Sequence, residues 1–470
     1  VIKRSTRAAA TALTALTVAA LCSCAVGPNY HRPAFDSTPT YKEAADWKPS
    51  EPSDILSRGP WWTIFNDPAL NALEDQVNIS NQNIKAAAAA FEQSRALVAQ
   101  ARAGLWPTIS AIFQGTRAAQ PGLPQYTTYS AGLSGNWDID VWGSIRRTIE
   151  GDRASAQSAS AALAAARLSA QGELAIDYFE LRAQDQNQKL LDNTVEAETQ
   201  SLKITESRYK YGVAARADVV SAETQLLSSQ AQQVNNKIQR AVLEHAIAVL
   251  TGQQPASFSL PPAPIRTDVP TVPAGVPSTL LERRPDVAQA ERKMAAANAQ
   301  IGVTTAAYFP TLTLGAQGSF ESSGLGHLIS ASNRIWSIGP ELAETLFDAG
   351  SRRAQVAQAR AAYEITVDDY RQTVLTSFEQ VEDDIVTLRV LEQQSSIEEA
   401  TVKAAREAEA LTLNQYKAGT VPYSSVITAQ TTRFAAEETA LAVLSSRLQG
   451  SVNLIEALGG GWDQSQATDK

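Results

Sequence analysis

Two hydrophobic periods divide the chain. Between Ser351 and Ala418 there is neither proline nor glycine, and apolar residues fall at Tyr363, Val367, Tyr370, Val374, Phe378, Val381, Ile385 and Leu388. Steps of three and four residues mark one face of an α-helix with coiled-coil-like spacing. Such a helix is about 100 Å long at 1.5 Å per residue, far beyond the ordinary globular length. Its other positions are mainly Ala, Gln, Glu and Arg, so it must lie close to its neighbours and turn its opposite face to water. A proline-free stretch from Pro124 to Pro255 predicts a matching helical region earlier in the chain. The second period is two. Tyr129, Ala131, Leu133, Gly135, Trp137, Ile139 and Val141 alternate with Ser130, Gly132, Ser134, Asn136, Asp138 and Asp140; later, Leu312, Leu314 and Ala316 alternate with Thr311, Thr313, Gly315 and Gln317. One apolar and one polar face predict half-exposed strands. About ten alternating residues is the span of a transmembrane β-strand, although a soluble hairpin looks the same. Polar, Gly- and Pro-containing segments, Gly115 to Gln125 and Glu321 to Asn333, are expected to join the strands of each pair.

The pattern occurs twice. Tyr209-Lys210-Tyr211-Gly212 matches Tyr416-Lys417-Ala418-Gly419, and the same spacing of 207 residues pairs Gly143-Ser144 with Gly350-Ser351, Arg146 with Arg353, and Gly252 with Gly459. This is one tandem duplication with a long period. Each half reads helix, two strands, long helix, turn, long helix. Gly212 and Gly419 stand where a long helix stops and reverses, as a C-cap glycine does. Pro422 suits the first turn of the helix that follows. The boundaries predicted are a leader over 1–23, an extended anchor over 24–66 and a first repeat over 67–252. Its strands lie at about 105–142 and its hairpin at about 144–250. A Pro-rich linker over 253–277 leads to a second repeat over 278–460, with strands at about 308–347 and a hairpin at about 351–458, and a tail over 461–470. Four strands per chain leave open edges, which lipid does not tolerate. If the strands enter a membrane, several chains must share one barrel.

Composition narrows the function. The net charge of −9 over 470 residues argues against nucleic-acid binding. Two Cys, one Met and three His leave little for a metal site, and His31, His245 and His327 lack ligand-like spacing. No apolar run reaches the ~20 residues of a membrane-spanning helix. No phosphate loop, nucleophile elbow or zinc motif is present. Asp383-Asp384 and Glu398-Glu399, adjacent in a helix, are expected to point to different sides, which argues against a carboxylate dyad. The expectation is a protein that is not an enzyme and has no cofactor.

The first segment reads as an address. Lys3, Arg4 and Arg7 precede an apolar stretch from Ala8 to Leu21, then Leu21-Cys22-Ser23-Cys24. This is a secretory signal peptide whose end resembles the bacterial lipobox. It predicts Cys24 as the first mature residue, with diacylglyceryl on sulfur and an acyl group such as palmitate on the amine. Cleavage removes three positive charges and takes the net charge from −9 to −12. With Ala25 rather than Asp after the cysteine, resemblance to other bacterial lipoproteins implies transport to the outer membrane.

Five motifs carry a wider resemblance. They are Cys24-Ala25-Val26-Gly27-Pro28-Asn29-Tyr30-His31-Arg32-Pro33; Trp61-Trp62 with Phe65-Asn66-Asp67-Pro68-Ala69-Leu70; Trp137-Asp138-Ile139-Asp140-Val141-Trp142-Gly143; Leu281-Glu282-Arg283-Arg284-Pro285-Asp286-Val287; and Leu346-Phe347-Asp348-Ala349-Gly350. In this order, over nearly the whole chain after Cys24, it resembles the TolC-type outer membrane factor family, in its lipid-anchored efflux branch. The resemblance implies a mainly α fold with a transmembrane β part: a homotrimer with one 12-stranded β-barrel in outer-membrane lipid, continued by a periplasmic 12-helix α-barrel. It implies a passive, gated exit duct of a tripartite efflux system, of the RND type by this branch's resemblance with the kind of pump otherwise left open, carrying drugs or other small molecules from a periplasmic adaptor and an inner-membrane pump. An ATP-driven secretion system and a non-channel coiled-coil scaffold are the alternatives.

The Tyr-Lys-x-Gly turns then become the periplasmic tips, with Tyr209, Gly212, Tyr416, Lys417 and Gly419 where the adaptor docks and the closed pore is narrowest. One departure stands out. The family often carries Asp after the second glycine, whereas this chain reads Ser424, Ser425, Val426, Ile427, Thr428 and Ala429. An acidic ring would have to come from Asp218, beside Arg216, or from Glu223. Asp218 on a helix start is otherwise a favourable dipole contact. Arg216 and Lys417 are candidates for tying neighbouring hairpins shut.

Overall fold

The computed structural model describes residues 25–33, 41–43, 60–119, 121–122, 124–272 and 283–462. The leader over 1–23, Cys24, much of the anchor, the linker's end and most of the tail lie outside the described residues. The elements run in chain order as α1 (Pro68–Ser80), α2 (Gln82–Ala103), β1 (Thr108–Ala118), β2 (Tyr126–Asp138), α3 (Ser144–Lys210) and α4 (Arg216–Leu250). They continue with α5 (Pro285–Ala306), β3 (Thr311–Ser322), β4 (Arg334–Ala343), α6 (Ser351–Ala418) and α7 (Tyr423–Ala457). The long helices α3 and α6 have 67 and 68 residues, and α4 and α7 have 35 each. The described residues form two compact units: those within 1–35, 89–160 and 288–373 make the first, and those within 36–88, 161–287 and 374–470 the second.

The first unit holds one antiparallel sheet in the order β1-β2-β3-β4. Directly opposed residues of an antiparallel pair share a face, and the register aligns the apolar sets of all four strands. Ile109 opposes Gly135, Ala111 opposes Leu133 and Phe113 opposes Ala131. Leu133 meets Gly318, Ala131 meets Phe320 and Trp137 meets Leu314. Leu314 meets Pro340, Ala316 meets Ile338 and Leu312 meets Leu342. The result is one largely apolar face, broken by Arg117, Thr127 and Arg334, and one mainly polar face of Ser, Thr, Gln, Asn, Asp and Glu that also carries Ile112 and Ile335. β1 and β3 reach further than their alternation alone suggests, whereas β2 stops at Asp138, short of the alternation that runs on to Val141. β1 continues past Gly115 to Ala118 because the ladder pairs Gly115 with Tyr129, whose ring covers the glycine at 3.2 Å from a would-be Cβ.

Each long helix starts on an aspartate upstream. Asp140 accepts the N–H groups of Ile145 and Arg146 at 3.0 Å each, and the Arg146 guanidinium donates back to it at 3.2 Å. Asp348 accepts the N–H of Arg352 at 3.1 Å and its guanidinium at 2.7 Å. Constant spacing along the repeats pairs Arg146 with Arg353, but the geometry makes Arg352 its counterpart. Residues 25–33 lie along the same unit. Val26 N–H donates to the Trp142 carbonyl at 3.0 Å, Arg147 donates to the carbonyls of Val26 and Gly27, and Asn298 donates to that of Pro28. Gly27 (φ +96°) approaches Gly302 so closely that a Cβ would stand 2.4 Å from its Cα, which explains the glycine of this motif.

The second unit holds the larger core. Trp61, Trp62 and Phe65 form a buried 3₁₀ turn, with the Phe65 and Phe179 rings 4.9 Å apart. Leu70, Val77, Leu174, Val381, Ile385, Leu448 and Ile455 complete the same cluster. Asp67 caps α1 through the N–H groups of Ala69 and Leu70 and accepts the Tyr178 hydroxyl at 2.8 Å. The Trp-Trp to Asp-Pro-Ala-Leu motif is therefore a packing and capping device.

Candidate functional site at the hairpin tips

Both helix reversals lie in the second unit, and left-handed glycines make them. Gly212 (φ +73°) donates to the Tyr209 carbonyl at 2.9 Å, and Val213 N–H donates to that of Arg208 at 2.8 Å. Gly419 (φ +82°) donates to the Tyr416 carbonyl at 2.9 Å, and Thr420 N–H to that of Gln415 at 3.0 Å. Each turn satisfies carbonyls that a helix end leaves without partners. Pro422 stands just before the first helical residue of α7, as its N-cap, one place earlier than expected. In that place it loses no helical donor and still accepts the Ser425 N–H at 3.1 Å.

Tyr416 and Tyr423 fill the space between the hairpins, with ring centroids 5.2 Å apart. Both are buried, and Ala222 and Val426 pack with them. The Tyr416 hydroxyl donates to Thr205 Oγ1 at 3.2 Å, joining α6 to α3. Burial, with Glu198 nearby, pushes the Tyr423 hydroxyl up to about 12. Burial likewise raises the Glu198 carboxyl.

The charged candidates are not gathered into one cluster. Asp218 Oδ2 accepts the Ala215 N–H at 3.2 Å, so its carboxylate serves the start of its own helix. The Arg216 guanidinium lies 6.0 Å from the Tyr209 ring centroid. Lys417 and Glu223 are exposed. The residue that joins the hairpins is Arg208. It donates to the carbonyls of Tyr416 and Lys417 at 2.8 and 3.1 Å, and its guanidinium lies 4.7 Å from the Tyr416 ring centroid. A signal for it existed: at the repeat spacing Arg208 stands against Gln415, the one change of charge in Arg-Tyr-Lys-Tyr-Gly against Gln-Tyr-Lys-Ala-Gly. The arrangement is mechanical. Aromatic packing and charge-assisted donors to carbonyls hold one hairpin on the other.

Among the described residues, no helix is long and apolar enough to cross a membrane, and no group of His, Cys, Asp and Glu is placed to hold a metal. A sheet with one apolar face, in one chain with two long helical hairpins closed by capped glycines, defines the class of outer-membrane channel subunits. The model of the outer membrane efflux protein family matches residues 73–253 and 276–460, and the chain belongs to that family. The probable efflux pump outer membrane protein TtgC of Pseudomonas putida is 29% identical over 460 residues, with 95% of each chain covered. The pyoverdine export outer membrane protein OpmQ of Pseudomonas aeruginosa is 29% identical over 430 residues, covering 88% of this chain and 89% of the relative. The solved outer-membrane channel OprN matches with a TM-score of 0.87 at 29% identity, over 93% of this chain and 100% of that one. The protein is thus an outer-membrane efflux component.

Proposed function

We propose that three copies of this chain close one duct, with twelve strands in outer-membrane lipid and twelve helices in the periplasm. The sheet register carries this reading. It lines up Ile109, Phe113, Leu133, Trp336, Ile338 and Leu342 on one side, all more than half exposed in the single chain. A polar opposite face suits a water-filled lumen, and the outer edges of β1 and β4 have no partner among the described residues. Exposed Val220, Leu227, Val234, Ile238, Val242 and Val249 form a stripe on α4 in steps of seven and four, and Val390, Ile397 and Leu411 form another on α6. Such stripes fit coiled-coil seams against neighbouring copies.

In this reading the duct passively passes drugs or other small molecules handed over by a periplasmic adaptor and an inner-membrane pump, and the tips are its gate. The hydrogen bonds of residues 25–33 hold the chain beside Trp142, which stacks on Phe309 at 4.7 Å. Aromatics gather at membrane interfaces, so a lipid on Cys24 would start at that level. The relatives' names differ in cargo, one an efflux pump component and one a pyoverdine exporter. This frame therefore leaves selection to the pump.

Native mass measurement in detergent tests the assembly. A mass of three chains is expected, and Phe113→Arg should reduce it, since Arg costs about 2–4 kcal/mol at the midplane of a lipid face. A detergent-independent, water-soluble monomer would overturn the reading.

A further inference from the structure

Glu74 occupies a core position of α1, on one face with Leu70 and Val77, and is fully buried. Neither of its carboxylate oxygens has a hydrogen-bond partner. The charges that act on it are Glu456, in the last turn of α7, and Asp75 on its own helix. Glu456 is pressed against Gly172 of α3, where a Cβ would come within 1.9 Å of Oε1. It also borders a cavity of about 530 Å³ whose other walls include Asp383, Asp384, Arg284 and Asp286. Asp383 and Asp384 thus line one cavity, although adjacent helix positions were expected to point apart. The cavity is wide enough to meet both.

The single guanidinium there is already engaged. Arg284 donates to both oxygens of Asp286 at 3.0 and 2.6 Å, and to the Ala457 carbonyl at 3.1 Å. Glu456 faces Asp384 of α6 and Glu173 of α3, with Arg284 as the opposing charge. Asp384 faces Asp383 and the same Arg284. Glu74 of α1 thus stands against Glu456 of α7, and Glu456 against Asp384 of α6, while Arg284, the cation opposing Glu456 and Asp384, is bound to Asp286 and the Ala457 carbonyl. A buried carboxylate without a counter-ion is costly, and the group takes up a proton instead.

We propose that Glu74, Glu456 and Asp384 form a proton-operated latch: as neutral carboxyls they let α1 pack beside the end of α7, and their ionisation loosens that packing. Burial and mutual repulsion order the steps. Asp384 is raised to about 6, Glu456 to about 7 and Glu74 to about 9. Each folded value lies above its unfolded one, so the latch is intact at low pH and its stabilisation is lost as pH rises through these values. The latch does not depend on the duct reading, since it concerns packing within one chain.

Thermal unfolding of the full-length protein in detergent, followed from about pH 5.5 to about pH 9, tests this. The wild type should lose melting temperature across that range, and Glu74→Gln should lose less. Glu456→Gln, which removes the principal repulsion on Glu74, should move the remaining loss to lower pH. An infrared band of a protonated carboxyl at neutral pH, weaker in Glu74→Gln, is also expected. Equal pH dependence in all three proteins, or a wild type without that band, would overturn the proposal.

Discussion

Arg208 and Tyr416 belong to different repeats, yet the guanidinium of one lies 4.7 Å from the ring centroid of the other and donates to its carbonyl at 2.8 Å. A half-buried charged donor to a carbonyl contributes about 1.5–3 kcal/mol, and a cation–π contact about 0.5–1 kcal/mol more. Arg208→Ala should therefore free the second tip from the first. Hydrogen exchange of amides 415–425 should speed up by ten-fold or more, with α3 and α6 unchanged near their starts. Exchange equal to the wild type would show that Tyr416 packing alone closes the tips.

Asp218 separates two roles that the sequence left together. As a helix cap it accepts the Ala215 N–H, and Asp218→Asn keeps an acceptor there. As a ring of charge at a pore mouth, only its ionisation matters. Asp218→Asn should change the cation preference of the open pore while leaving stability intact, whereas Asp218→Ala should also lower the stability of the helix start by removing the acceptor of the Ala215 N–H. Reversal potentials under a salt gradient report the first effect. Reversal potentials in both variants equal to that of the wild type would assign Asp218 to capping alone.

The stripe on α4 predicts how copies associate. Val220, Leu227 and Val234 are spaced by seven residues and exposed. Burying each apolar side chain is worth roughly 1.5–3 kcal/mol. Leu227→Glu together with Val234→Glu should lower the mass in mild detergent from three chains to one, with the helix content of the chain retained. A trimer that survives both changes would place the seam elsewhere.

Lipidation has a direct readout. Cells fed labelled palmitate should yield labelled protein, and Cys24→Ser should abolish the label while Cys22→Ser leaves it. Label that persists in Cys24→Ser would move the modification or remove it from the account.

Local order was visible in the residues, and contacts across the repeats were not. The α6 stripe from Val367 to Leu388 is a period, and Val367, Tyr370, Val374, Val381, Ile385 and Leu388 are indeed buried. Strand alternation is likewise local, and it gave faces without register. The register needs pairings such as Leu133 with Gly318, far apart in the chain. The role of Arg208 is not local for the same reason: its acceptors lie about two hundred residues away. Glu74 had left a trace, an acid four residues after Leu70 and three before Val77 on an apolar face. Only the positions of Glu456 and Gly172 give that trace a meaning.

The central claim is that the strands of several copies enclose water across a membrane. Single-channel recording of the purified full-length protein in a planar bilayer tests it most directly. Discrete conductance steps are expected, larger in Arg208→Ala and lost in Phe113→Arg. A bilayer that stays electrically silent with correctly folded protein added would contradict it.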